Sequence, residues 1–126
     1  MAESMAEAGY EMLIADRAAL LRALPFEPGR VRSRRLFKSS ALTVLGVAID
    51  AGAVMRDHVA AVPILIHVLE GRAVLEVQQQ RTELGAGAMV HVEDSVRHQV
   101  EGAEPTRFLV LLLGEPVTAS PSPGPD

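Results

Sequence analysis

The side chains best suited to chemistry in this sequence are four histidines, His58, His67, His91 and His98, with Arg56 two residues before the first. A neutral imidazole donates and accepts hydrogen bonds, works as an acid or base near neutral pH, and ligates divalent transition metals such as zinc, nickel, manganese or iron. Two imidazoles are too few for a stable site, since structural zinc takes four protein ligands and catalytic zinc three plus a water. Any two of these histidines brought together by the fold would admit two readings. One is a degenerate metal site completed by a third group; the other is two rings at a pocket mouth, bonded to water or ligand. Arg56 favours the second. Its guanidinium stays charged, offers a planar fork suited to a carboxylate or phosphate, and repels a nearby metal cation. A rim ion pair with Asp57 or Glu93 is the competing and commoner fate of such an arginine. With no cysteine there is no thiolate metal site, disulfide or cysteine nucleophile. The sequence also lacks a serine-nucleophile elbow, a phosphate loop and a helix-borne metal motif.

These residues must be positioned by short strands. From Val31 onward the apolar pattern has period two: Leu42–Ile49, Val62–Leu69, Ala73–Gln78, Thr82–Leu84, Ala88–Val92, Val96–Val100 and Arg107–Leu113. Glycine-bearing or polar turns at Asp50–Ala53, Glu70–Gly71, Gln79–Arg81, Gly85–Gly87, Glu93–Ser95 and Glu101–Pro105 separate them. Such spacing indicates an antiparallel sandwich or barrel. Before it, Tyr10–Leu24 carries the one helical pattern, stopped by Pro25. A variant of that reading makes Met12–Ile14 a short strand and starts the helix near Asp16, and we prefer it. Residues 117–126, with three prolines, a glycine and two serines, are expected to form a mobile tail, and the first nine residues to fray. The expectation is one domain over 1–126, with a barrel at about 31–114 and an arm at 10–24.

Composition agrees. A chain of 126 residues with 48% apolar and 22% charged residues is globular and suits one core. The longest apolar run, Phe108–Leu113, is far below the roughly 20 residues of a membrane span. The N-terminus shows no signal-peptide pattern, so a soluble cytoplasmic protein is expected. A net charge of −4 and only four aromatics argue against a nucleic-acid partner. The basic stretch Arg30–Lys38 holds five of the twelve bases. It reads as an anion-binding patch or, more simply, as the solvated face of an edge strand bearing Arg30, Arg32 and Arg34.

The middle of the chain resembles the small single-domain cupins. Ala51–Gly52 with Val54–His58, and then Val68–Gly71, look like the two ends of the first cupin motif. Gly85–Gly87, Glu93–Ser95 and Val96–His98 look like the second. The resemblance implies an all-β, double-stranded β-helix (a jelly-roll barrel) with a short N-terminal helix, and a homodimer. Metal-binding members usually offer two histidines one residue apart, a carboxylate or amide a few residues on, and a histidine in the second motif. Here those positions carry Arg56, His58, Ile64 and His98, and the proline and glycine of the second turn are Glu93 and Ser95. The functional expectation is a small-molecule-binding barrel, with a ligand that can be anionic and a pocket at Arg56, His58, His98, Ile66 and Val68. The alternative is a metal-dependent dioxygenase or isomerase using His58 and His98.

Strand parity sets the rest. With Ile64, Ile66 and Val68 inward, Leu65, His67 and Leu69 face out, and Val90 and Val92 inward put His91 outside too. His67 and His91 then lie near each other on an outer face, covered by the N-terminal helix or a second subunit, or simply solvated. A bulge between His58 and Gly71 inverts this and allows a three-histidine site. The expected cavity wall is Leu45, Val47, Ile49, Ile66, Val68, Leu75, Val90, Leu109 and Leu111.

Overall fold

A computed structural model describes residues 9–114. Among the described residues nine strands form two antiparallel sheets around one core. They are β1 (Val31–Lys38), β2 (Leu42–Ile49), β3 (Val54–His58), β4 (Ile64–Glu70), β5 (Arg72–Val77), β6 (Gln80–Gly85), β7 (Met89–Val92), β8 (His98–Gly102) and β9 (Thr106–Leu113). The larger sheet runs β1-β2-β9-β4-β7 and the smaller β3-β8-β5-β6. This is the all-β double-sheet barrel that the sequence implies, with one short helix among the described residues. Among the described residues no helix is long and apolar enough to cross a membrane. The expected tail at 117–126 lies outside the described residues, as do the first eight residues.

Alternation explains the core. Along β4, Ile64, Ile66 and Val68 are buried while Leu65, His67 and Leu69 are only half-buried. They meet Val47, Ile49, Phe108 and Val110 of their own sheet and Leu75, Leu84 and Val100 of the other. The inward set of β9 differs from expectation. Phe108 lies opposite Val47, so Phe108, Val110 and Leu112 face in, while Leu109 and Leu111 belong to the outer face. Every residue from Phe108 to Leu113 is apolar, so periodicity alone cannot choose the face.

The helix α1 (Arg17–Ala23) is capped by Asp16, whose carboxylate accepts the Ala19 N–H at 2.9 Å. Its start matches the preferred variant, but Met12–Ile14 is not a strand. Leu13 and Ile14 instead lie along the outer face of the larger sheet with Leu20, Leu36, Val44, Leu69 and Leu109, where side chains pack and no ladder edge is open to the backbone. Leu24 closes the arm. It is 2% exposed and packs over Gly46, where a Cβ would come within 2.8 Å of Leu24 Cδ1.

The β5–β6 hairpin turns on Gln78 and Gln79, with Val77 paired to Gln80, one residue earlier than the sequence suggests. Both turn residues have positive φ (52° and 72°), the conformation of a type I′ turn, which favours Asn-Gly. Replacing Gln78 and Gln79 by Asn and Gly should therefore stabilise the fold by about 1 kcal/mol. Urea denaturation checks this as a higher midpoint at unchanged slope.

Candidate functional site

A cavity of about 380 Å³ opens between the sheets. Val31 and Ser33 of β1, Leu45 and Val47 of β2, Ile64 of β4, and Val110 and Leu112 of β9 form one side. Met55 of β3 and His98 of β8 form the other, with Val59 and Ala60 from the following loop. Among the described residues His98 is the one titratable side chain in this lining, and it is only 4% exposed. Its Nδ1 lies 3.0 Å from the Val96 carbonyl, which fixes the ring's orientation and favours the tautomer with the proton on Nδ1. Ser95, with φ 65°, makes the turn that delivers this strand, and its N–H donates to the Ala60 carbonyl at 2.8 Å. The second-motif turn is thereby tied to the loop that walls the cavity.

The two motif histidines come from separated parts of the chain and meet as backbone partners, His58 of β3 opposite His98 of β8. Arg56 does not follow. The pairing passes from Met55–Val100 directly to His58–His98, so β3 carries one more residue than β8 in that interval. This bulge breaks the simple alternation from 56 to 58. Met55 lines the cavity, whereas Arg56 is exposed and absent from its wall.

Ile66 and Val68 are 1% and 0% exposed in the packed core, beside the cavity and not along it. His67 lies opposite Met89, and His91 opposite Leu65, which makes the two histidines diagonal neighbours on the outside of the larger sheet. The register shift of β4 falls between Val68 and Glu70, beyond His67, so the inversion that would bring His67 inward does not occur. Leu69, close by, lines one recess with Leu13, Ile14 and Leu20 of the arm.

Sequence reasoning missed Val31, Ser33, Met55, Val59, Ala60, Val110 and Leu112 as lining residues. A signal existed for Ser33. If Arg32 and Arg34 face solvent on a strand, Val31 and Ser33 must face the barrel.

Residues 47–112 match the family model described as a cupin domain. The chain belongs to the cupin family. No curated protein matches this cupin. Among solved structures it resembles a protein of unknown function from Streptococcus pyogenes, with a TM-score of 0.71 and 18% identity, over 81% of this chain and 87% of that one. A protein from Thermus thermophilus gives 0.71 and 24%, over 83% and 100%. The DMSP lyase DddQ from Ruegeria pomeroyi DSS-3 gives 0.65 and 23%, over 71% and 49%. At these identities the likeness is one of fold, and the fold hosts both enzymes and other proteins.

The donor set of this cupin does not fit a resident metal. Of the four family ligand positions, Arg56 is an exposed cation and Ile64 is hydrocarbon, 3% exposed in the cavity wall. That leaves two imidazoles, where a catalytic ion needs three protein ligands. Among the described residues no three His, Asp or Glu side chains are placed to hold an ion.

Proposed function

We propose that this cupin is a small-molecule-binding barrel, a sensor, carrier or accessory domain, in which His98 is the polar anchor of an otherwise apolar cavity. The observation that carries the reading is one buried, oriented imidazole in a wall built almost entirely of hydrocarbon. Ligand sites commonly span about 300–1,000 Å³, with a few polar groups fixing orientation in an apolar lining. A volume of about 380 Å³ lies at the small end of that range. The matching ligand has a compact apolar body and one hydrogen-bonding group. With Arg56 outside the wall, a charged group on the ligand is not required.

The test is a ligand-observed NMR screen of phenols, short alcohols and their hydrocarbon counterparts against wild type and His98→Leu. We expect a phenol or alcohol to bind, and His98→Leu to weaken it about tenfold, the value of a net hydrogen bond near 1–1.5 kcal/mol. The hydrocarbon counterpart should be little affected. Equal loss for both compounds, or no binding by any, defeats the proposal. Stoichiometric iron, manganese, nickel or zinc in untagged protein, lost in His98→Ala, would overturn it in favour of a metal enzyme.

A further inference from the structure

Beyond the cavity, the structure gathers arginines from two elements at one concavity on the outside of the barrel. Arg22, in the last turn of α1, and Arg32 and Arg34 of β1 line a recess of about 240 Å³ whose floor includes Leu24 and Pro25. Arg32 and Arg34 stand two apart on a strand and so share a face. Their partners are Ala48 and Gly46, and Leu24 lies against Gly46 on the outer face. The same docking of Leu24 on Gly46 carries Arg22 to the strand.

Edge protection alone does not account for this arrangement. β1 is the edge of the larger sheet, and charges along an edge discourage strand addition. That role needs no arginine from the helix and no recess. The pairing pattern is also uneven. Glu27 takes Arg32 at 2.9 Å and Arg30 at 3.8 Å. Among the described residues neither Arg22 nor Arg34 has a carboxylate within ion-pairing distance. The stretch Arg30–Lys38 contains no acid, in a chain whose net charge is −4.

We infer that Arg22, Arg32 and Arg34 form a binding site for a single oxyanion group, the phosphate or carboxylate of a small molecule. Guanidinium forks match either group with paired hydrogen bonds. Three forks around a recess of this size suit one such group, not the length of a polynucleotide backbone. Glu27 tempers the site by neutralising part of Arg32, which leaves Arg22 and Arg34 as its principal cations.

Calorimetric titration of full-length protein with inorganic phosphate, and separately with succinate, tests this at ionic strength held constant with sodium chloride. Both side chains of Arg22→Gln/Arg34→Gln are exposed, so the fold should persist, which a thermal melt checks. We expect saturable binding of at least one anion, weakened at least tenfold in that double variant and unchanged in Arg56→Gln, an exposed arginine elsewhere. Arg34→Lys, which keeps the charge and loses the fork, should weaken it several-fold. The stronger of the two anions identifies the ligand group. Absence of saturable binding, or equal weakening in Arg56→Gln, refutes the site. Tight binding of a single-stranded oligonucleotide with both small anions silent also refutes it, in favour of a polyanion surface.

Discussion

Gly71→Val is expected to remove a large share of the fold's stability, about 4 kcal/mol or more. Gly71 joins β4 to β5, and so joins the two sheets, with φ at 93°, where a β-branched side chain is strained. The space is also taken. A Cβ built there would sit 2.3 Å from the Pro105 carbonyl oxygen, 2.6 Å from Thr106 Oγ1 and 2.7 Å from Thr106 Cα, and two of these three are backbone. Thr106 is fully buried and cannot yield easily. Its Oγ1 accepts the Arg72 N–H at 2.9 Å and lies 2.8 Å from the Arg72 carbonyl and 2.7 Å from that of Glu104. Displacing it opens three part-buried polar contacts at once. Strain of about 1–3 kcal/mol, added to the loss of that network, makes a total of about 4 kcal/mol or more, a large share of a small domain's stability. Guanidinium denaturation measures it. An unchanged midpoint would show that the β4–β5 junction has been misplaced.

Much of this barrel was legible because its turns and its alternation agree. Val68–Gly71 ends in a residue that only glycine suits, and Ile64, Ile66 and Val68 alternate with half-buried neighbours as period two demands. Legibility failed where the local signal was degenerate. In β9 both faces are apolar, so Leu109 and Leu111 read as well inward as Phe108 and Val110, and only the register against β2 decides. Met12–Ile14 carries β-branched and long apolar residues, yet Leu13 and Ile14 lie along a sheet face that provides no ladder and Met12 is exposed. Gln78 and Gln79 adopt left-handed conformations without the Asn or Gly that would announce them.

The site was half legible for a related reason. His58 and His98 were recognisable from motif spacing, and the backbone register does place them opposite each other. The extra residue between Met55 and His58 leaves no mark in the residue types, so the inward position given to Arg56 by counting belongs to Met55. A bulge is a property of two strands together, and one strand's sequence does not contain it. The same holds for the recess at Arg22. A basic strand is visible in the sequence, but the helix that completes it arrives through the contact of Leu24 with Gly46.

Arg107→Met should be the second large loss, and it should act through the arm. Arg107 lies on the outer face of β9 and is only 7% exposed, a burial that charge tolerates only with partners. Its Nε donates to the Leu24 carbonyl at 2.7 Å, its Nη1 to Glu70 Oε2, and its guanidinium lies 4.0 Å from the centre of the Phe26 ring. Glu70 in turn meets Arg17 of α1 at 2.6 Å, so the two arginines clamp one carboxylate and hold both ends of the helix to the sheet. Methionine fills much of the space but leaves the Leu24 carbonyl and Glu70 short of donors. Breaking such a pair from one side costs about 3–5 kcal/mol, and partial exposure of Glu70 places the expected value near the lower bound. Hydrogen exchange should then rise first in residues 13–24, before the barrel strands. The carboxylate also gives this clamp a pH signature. The Arg17 hydrogen bond above all, helped by Arg107 and opposed by burial, holds Glu70 below the usual carboxylate range. A depressed folded pKa means the stabilisation is complete above the unfolded pKa and fades as pH falls through the folded one. Wild-type stability should therefore decline on acidification below about pH 4.5, the ordinary glutamate value. Arg107→Met should show a shallower decline over the same range, because part of what acid removes is already gone. Parallel pH profiles would mean that Glu70 takes its support from Arg17 alone.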